Sequence, residues 1–444
     1  MFEGMKNIFM VGIEGSGMRG LAYLFAKQGF DVAGEDDTAA ERREIDGYTI
    51  VPQADAAAAV RAADVLVYSD AVRSDHQLRI LAEEQGIKQM PYQEALGVFA
   101  KQYTTLAVTG THGKSSTTAM LAHILVEAGY DPTVLVGASL DVFGGRNARA
   151  GKGEYFVVEA DEYRRHFLAL EPTHIIITSI DFDHPDYFTS LEDVELAYSE
   201  FISRLADDGS VVVLSDVVKE HSDVKWPTQT VRVGVEAGRD IVMALPGKHM
   251  QQNASLAVAL TEILGIDKVQ ASLSLTTFSG LKRRMENIGV IGAVPVYSDY
   301  GHHPQEIEAT LAGAKDFFVG KKIGVLVEPH MIERLVTFFE GFSRSLEAAD
   351  AIMLCPVFYP KGREGEISDA PGKLLADLQG KGKTATLLDS YDNLLAALQK
   401  FAQQVDVIIA FTAGHLDANL REQFKNATPP NLPLSGEEPG RYQV

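Results

Sequence analysis

Short β-branched apolar runs recur along the chain, separated by longer stretches whose apolar residues return every three or four positions. The short runs predict strands at 7–13, 64–69, 105–109, 155–159, 174–180, 210–214, 322–327, 351–355 and 405–411. The longer stretches predict helices, for example over 114–128, 191–205 and 253–264. Such alternation implies parallel sheets with crossover helices, an α/β protein. The run IIIT at 175–178 is continuously apolar, as expected of a strand covered on both faces. Residues 285–300 hold two short strand-like pieces around Gly292, which predicts a hairpin. There is no internal repeat, and AAAAV at 56–60 is only a local bias. From about Asn426 several Pro and Gly predict a loop or frayed end.

The chain has 444 residues, enough for two to four domains. Three blocks, 1–102, 103–279 and 280–444, each lead from a strand into a glycine-rich or chemically rich turn. Of the residues, 46% are hydrophobic and 23% charged, ordinary for a globular protein. The formal net charge of −21, with no basic run, argues against nucleic-acid binding. No apolar run reaches the roughly 18 residues that span a bilayer, so no membrane insertion is expected. The N-terminal stretch is broken by Glu14 and lacks a secretory pattern, which points to a cytoplasmic protein. Cys355, the single cysteine, cannot form an internal disulfide and reads as a buried small hydrophobe between Leu354 and Pro356.

The strongest chemical signal is TLAVTGTHGKSSTTAML, residues 105–121. An apolar strand runs into Gly110, Gly113, Lys114 and Ser115, then into a helix. Glycines let the backbone wrap phosphate oxygens, and a helix N-terminus offers free N–H groups with partial positive charge. Lys114 would reach the β- and γ-phosphates and the Ser115 hydroxyl would ligate Mg²⁺. The usual phosphate-loop spacing asks for glycine where Val108 stands, so the match is partial. In 155–188, apolar strands end in Glu159 and in Asp181-Phe-Asp-His184. Acids at strand ends stand where α/β sheets place ligands and can hold Mg²⁺, with His184 a possible second ligand. Spacing leaves open that Glu159 and Asp161 merely begin a helix and that His184 is a loop residue.

The segment TGTHGKSSTT resembles the ATP loop of the Mur ligases and the related folylpolyglutamate synthases. EADEYxxxFLxLxP followed by TSIDxDHxDYF is similar to the central block of the Mur branch that acts on UDP-N-acetylmuramate. The resemblance implies that Glu159 and His184 are metal positions, and that Gly110, Thr111, His112, Gly113, Lys114, Ser115 and Ser116 bind ATP. Two magnesium ions would bridge the ATP phosphates and the substrate carboxylate. Several Mur ligases carry a modified lysine about fifteen residues beyond the histidine. Ser199 stands there instead, which disfavours the branches that add later residues.

Residues 12–36 read strand, glycine-rich turn, helix, strand, acid. Gly12, Gly15 and Gly17 do not have dinucleotide-fold spacing. They resemble the UDP-binding start of the same branch, which implies UDP-sugar contacts from Gly15, Ser16, Gly17, Met18, Asp36 and, in YSDAVRSDH, Ser69. Glu14, Arg19 and Asp70 depart from the usual residues, and Glu14 is expected to point away from a diphosphate.

GKHMQQNASLAVAL (247–260) resembles an adenine-contacting segment, implicating His249 and Asn253. Met250 there could pack on a base, and Asn253 could alternatively cap a helix. In GLKRRMENIG (280–289), Arg284 matches an arginine that approaches ATP when domains close. SDYGHHPQEI (298–307) implicates Asp299, His302 and His303 where amine and nucleotide meet, with either histidine able to position the amine or take its proton. In VLVEPHMIERL, Arg334 matches an arginine near the amino-acid carboxylate, while Met331 replaces its companion. FTAGHLD (411–417) agrees with the family turn only at its central Ala-Gly.

The resemblance therefore implies three domains. These are a Rossmann-like UDP-binding N-terminal domain, a phosphate-loop central ATPase domain with a mostly parallel sheet, and a Rossmann-like C-terminal domain. It implies an ATP- and Mg²⁺-dependent ligase that joins the UDP-N-acetylmuramate carboxylate to L-alanine through an acyl phosphate, as a monomer or dimer. Lys114, His184, Arg284 and His303 would carry the chemistry, with His302 and Arg334 holding the amino acid. Three alternatives accompany it: a ligase that recycles a murein tripeptide, towards which EPH (328–330) and 136–151 lean; a folylpolyglutamate synthase; and a non-catalytic UDP-sugar-binding homologue.

Overall fold

Strands with uninterrupted apolar sequence, such as Ile323–Val327 and Val407–Phe411, are buried along their whole length, as helices on both sheet faces require. The computed structural model describes residues 4–36, 41–243, 247–278, 280–359 and 368–425. The expected loop beyond Asn426 lies outside them. The chain divides into two compact units, Met1–Leu281 and Lys282–Val444.

The first unit holds two sheets. One has six strands in the spatial order Arg43–Ile45, Tyr48–Ile50, Asp31–Glu35, Asn7–Val11, Val65–Tyr68, Lys88–Pro91. The other has seven, in the order Thr230–Val233, Ser210–Leu214, His174–Ile177, Thr104–Thr109, Tyr155–Glu159, Thr133–Leu140, Arg146–Arg149. Each is parallel except at one edge pair, 43–45 with 48–50 and 133–140 with 146–149. One apolar core runs through both sheets. Phe99 meets Phe25 of the first layer at 5.6 Å and Phe156 of the second at 5.4 Å, both edge to face.

The second unit has six strands, Glu286–Ile291, Val294–Asp299, Val407–Phe411, Ile323–Val327, Ala351–Leu354, Thr384–Leu387. Its first pair is the hairpin expected around Gly292, which turns with φ 64°. The remaining pairs are parallel. The α/β expectation therefore holds in all three sheets.

Three of the boundary differences from the sequence reading have direct physical reasons. The strand at His174 stops at Ile177, because the next two side chains bond the phosphate loop: Thr178 Oγ1 donates to the Thr109 carbonyl at 3.1 Å, and Ser179 Oγ accepts from His112 N at 2.9 Å. The first strand stops at Val11, where Gly12 turns with φ 78°. The helix expected from 253 begins at Lys248, so Asn253 lies in its second turn and is not its cap.

Candidate active site

In the first unit the phosphate loop joins the central strand Thr104–Thr109 to the helix Lys114–Glu127. Only glycine fits its two glycine positions. A Cβ on Gly110, at φ 139°, would lie 2.0 Å from Thr178 Oγ1, and one on Gly113, at φ 82°, 2.7 Å from Asn253 Oδ1. Thr111 is tied to the neighbouring strand end, its hydroxyl donating to the Asp181 carbonyl and accepting from Asp181 N. His112 Nε2 stands 3.7 Å from Asp181 Oδ2. Ser116 is buried within the helix.

Lys114 folds back over the loop. Its Nζ donates to the Gly110 carbonyl at 2.6 Å and to both carboxylate oxygens of Glu162 at 2.9 Å. Burial works against the ammonium charge, but Glu162, Asp161 and Glu159 outweigh it and hold Lys114 above its ordinary range. Burial likewise pushes the Glu162 carboxyl up, with Lys114 opposing.

The expected metal residues fall into two adjoining groups. Ser115 Oγ donates to Glu159 Oε1 at 3.0 Å. His184, with left-handed backbone at φ 54°, gathers instead with Asp161 and Glu162, their nearest ligand atoms within 4.8 Å of one another. Two carboxylates and an imidazole converging on one spot are a donor set that suits a divalent cation. The sequence reading did not single out Glu162. Its motif, EADE, was visible, but which acid turns inward depends on the irregular turn after the strand.

Ser199 is turned away from this centre, its hydroxyl donating to the Glu195 carbonyl and accepting from Lys225 N. Its neighbour Tyr198 is fully buried. Its phenol is held well above the ordinary range by burial and then by the Glu162 charge.

The expected UDP residues line the switch point of the first sheet, where neighbouring strands lead to opposite sides. Gly15, Ser16, Gly17 and Met18 open the helix Ser16–Lys27, and Ser69 follows the adjacent strand, its Cβ 3.1 Å from where a Gly12 Cβ would be. Glu35 ends the second strand and is buried, whereas Asp36, one residue on, accepts from Glu14 N at 3.2 Å. The Glu14 side chain pairs with Arg43.

This loop also touches the second layer. Ser16 Oγ donates to the Gly137 carbonyl, and Gly137 N donates to Glu159 Oε2 at 2.6 Å. Asn147 Nδ2 donates to the Ser16 carbonyl. A continuous bonded path thus joins Ser16 to Ser115, and neither Gly137 nor Asn147 was legible as a site residue. His249 lies in the first turn of its helix and Asn253 sits against Gly113. Met250 is in the core, so it is not free to cover a base as the sequence reading allowed.

The second unit gathers its own set at the C-terminal edge of its sheet. Asp299 is buried, accepting from Gly301 N and Met285 N, and burial raises its carboxyl against the opposing Arg284 charge. Arg284 reaches Glu306 at 4.0 Å and the Tyr300 ring at 5.5 Å. His303 is the buried cap of helix Pro304–Phe317, its Nδ1 accepting from Gln305 N, while its ring meets Phe338 edge-on at 4.6 Å. His302 is the less buried of the pair and lies 5.3 Å from the His330 ring. Buried Arg334 reaches His330 Nδ1 at 3.5 Å. Met331 has φ 66° at the start of a helix. Glu328 is structural: buried, it accepts from Tyr391 Oη and from the N–H groups of Gly414, His415 and Leu416.

A phosphate loop whose lysine and serine face strand-end carboxylates defines an α/β enzyme that handles a nucleoside triphosphate. Comparison with known proteins narrows this class. Three family models cover most of the chain: Mur ligase family, catalytic domain at 7–104, Mur ligase middle domain at 108–242, and Mur ligase, glutamate ligase domain at 283–414. The chain belongs to the Mur ligase family, whose members use ATP. The UDP-N-acetylmuramate–L-alanine ligase of Caldanaerobacter subterraneus is 34% identical, over 93% of this chain and 96% of that protein. The enzyme of the same name from Desulfitobacterium hafniense is 32% identical, over 92% and 97%. Among solved structures, the UDP-N-acetylmuramate–alanine ligase of Thermotoga maritima superposes with TM-score 0.75 at 25% identity, covering 96% of this chain and all of that one. A murein peptide ligase from Psychrobacter arcticus shares the fold, with TM-score 0.70 at 21% identity over 95% and 98%.

Proposed function

We propose that this enzyme joins the carboxylate of UDP-N-acetylmuramate to the amine of L-alanine, with ATP as the activating substrate, in the cytoplasmic synthesis of peptidoglycan precursors. The observation that carries the reading is likeness along nearly the whole chain to ligases of that name, together with an intact Lys114, Ser115, Glu159 and His184. The muramyl carboxylate attacks the γ-phosphorus, ADP leaves, and an acyl phosphate forms. Lys114 steadies the charge spread over the transferring group. The amine then attacks the acyl carbon, loses a proton, and expels phosphate. Arg284 supports Lys114 in the first half; in the second, His302 and Arg334 hold the amino acid, and His303 positions the amine or takes its proton through the ring nitrogen that does not cap the helix.

Ser115 with Glu159, and His184 with Asp161 and Glu162, have the oxygen and imidazole donors to hold Mg²⁺. The ion would supply neutralisation of phosphate charge. Of the alternatives, tripeptide addition drew on EPH at 328–330. In the fold Glu328 anchors a turn, so the glutamate of that motif has a structural role. The complete phosphate-loop site speaks against a non-catalytic role.

The test is phosphate release from MgATP and UDP-N-acetylmuramate with L-alanine, L-serine, glycine or the L-Ala-γ-D-Glu-diaminopimelate tripeptide added singly. Release with alanine supports the reading. Release only with the tripeptide moves the enzyme to the recycling reaction, and release with none of them rejects it.

A further inference from the structure

The turn after the strand Tyr155–Glu159 contains Tyr163-Arg164-Arg165-His166, and both arginines have left-handed backbone, φ 50°, ψ 22° and φ 60°, ψ 30°. Two successive non-glycine residues in that region are strained, and such strain persists only where surrounding contacts impose it. Three neighbours impose it here. Arg165 donates to Asp193 at 2.8 Å and to Glu200 at 2.5 Å, both in the helix Leu191–Ile202. His166 pairs with Asp70, just beyond Ser69 of the other layer. Tyr163 Oη donates to Asp186 at 2.7 Å while its ring lies 4.6 Å from that of His184.

Arg164 is the residue of this turn that the anchors do not bind. It is exposed, its guanidinium lies over the Tyr163 ring at 5.4 Å, and among the described residues its charge acts on Asp70 while no ion pair or hydrogen bond within bonding distance engages it. A cation over a ring face keeps its N–H edge available for an oxyanion. The surroundings give that edge a task. Asp70, Asp161, Glu162 and Asp186 crowd the region, and the Lys114 and Arg165 cations are already engaged by carboxylates. A substrate carboxylate entering beside the phosphate loop meets these acids, and Arg164 is the cation of this turn that no hydrogen bond holds elsewhere.

We propose that Arg164 binds the carboxylate of the sugar-linked acid and holds it at the metal-type cluster before phosphoryl transfer. The proposal rests on the UDP-N-acetylmuramate reading above. It makes Arg164 a binding residue that discriminates the acid from the neutral sugar.

The experiment is calorimetric titration of the full-length protein, without ATP, using UDP-N-acetylmuramate and UDP-N-acetylglucosamine, which lacks the lactyl carboxylate. The wild type should favour the acid. Arg164→Ala should weaken acid binding about tenfold, the usual scale for one charge-assisted pair, and leave the neutral sugar unchanged, with Arg164→Lys between. Arg164→Gly should lose the same affinity while its melting temperature rises, because glycine accepts the left-handed backbone. A purely structural arginine would lower it. If both ligands weaken in parallel, or the acid preference survives in Arg164→Ala, the proposal is overturned and the UDP-sugar reading stands. If the wild type binds neither ligand, that reading falls and takes the proposal with it.

Discussion

Lys114 and Glu162 form a two-pronged ion pair, the ammonium 2.9 Å from each carboxylate oxygen, with side-chain exposures of 16% and 3%. The cation proposed to bind phosphate is therefore held by an internal anion. Lys114→Ala should lower phosphate release at least about a hundredfold, as loss of a transition-state donor does. It should also destabilise the fold by about 3 kcal/mol, because a buried carboxylate loses its partner. Adding Glu162→Gln should restore much of the stability and none of the activity. Near-normal turnover by Lys114→Ala would remove this loop from the mechanism.

Gly113 and Asn253 test the loop's geometry. Gly113→Ala meets two obstacles, a left-handed φ of 82° and an Asn253 amide oxygen 2.7 Å from the new Cβ. We expect ATP affinity to fall by about tenfold or more and stability by about 1–3 kcal/mol. Gly113→Ala with Asn253→Ala should recover only the steric part. Full recovery in the double variant, measured by thermal melts and nucleotide titration, would show that the backbone angle costs little.

The Asp70–His166 pair should give a pH signature. Burial lowers the His166 pKa, but Asp161 and Asp70 outweigh burial and raise it to about 9, while Asp70 is held below the usual carboxylate range chiefly by His166. A raised histidine contributes stability that is complete below its unfolded value near 6.5 and is lost as pH climbs through about 9. The depressed Asp70 carboxyl contributes above its unfolded value and loses that contribution as pH falls through its folded one. The wild type should therefore exceed His166→Gln by about 1–2 kcal/mol at pH 5–6.5, with the gap closing towards pH 9. Chemical denaturation at pH 6 and pH 9.5 checks this, and a gap that widens with pH would contradict the charged pair.

Cys355 is 1% exposed, and burial followed by the Glu328 charge raises its thiol pKa. Without thiolate or access it should resist alkylation in the native protein and react fully after denaturation. Ellman titration before and after guanidinium gives the comparison, and rapid native labelling would mean that this strand end opens.

How much was legible follows from how local each feature is. The α/β class and the central strands were readable, because runs such as IIIT carry their burial in their own composition. The short edge strands Arg43–Ile45, Lys88–Pro91 and Thr384–Leu387 were not, since polar residues on a half-exposed edge leave no apolar signature.

The phosphate loop was determined by sequence alone, because strand, glycines, Lys114, Ser115 and helix are contiguous and their roles follow from backbone freedom and charge. The glycine turn at 12–17 and the hairpin at Gly292 were local in the same sense. Tertiary structure decided the rest. It turned Glu162 towards Lys114, turned Met250 into the core, and set Asn253 against Gly113. It also joined Ser16 to Glu159 through Gly137 and pinned His166 to Asp70, leaving Arg164 on a strained turn. In each case the two partners lie on different elements. Which side chains meet is set by how sheets and helices pack, and not by any spacing along the chain.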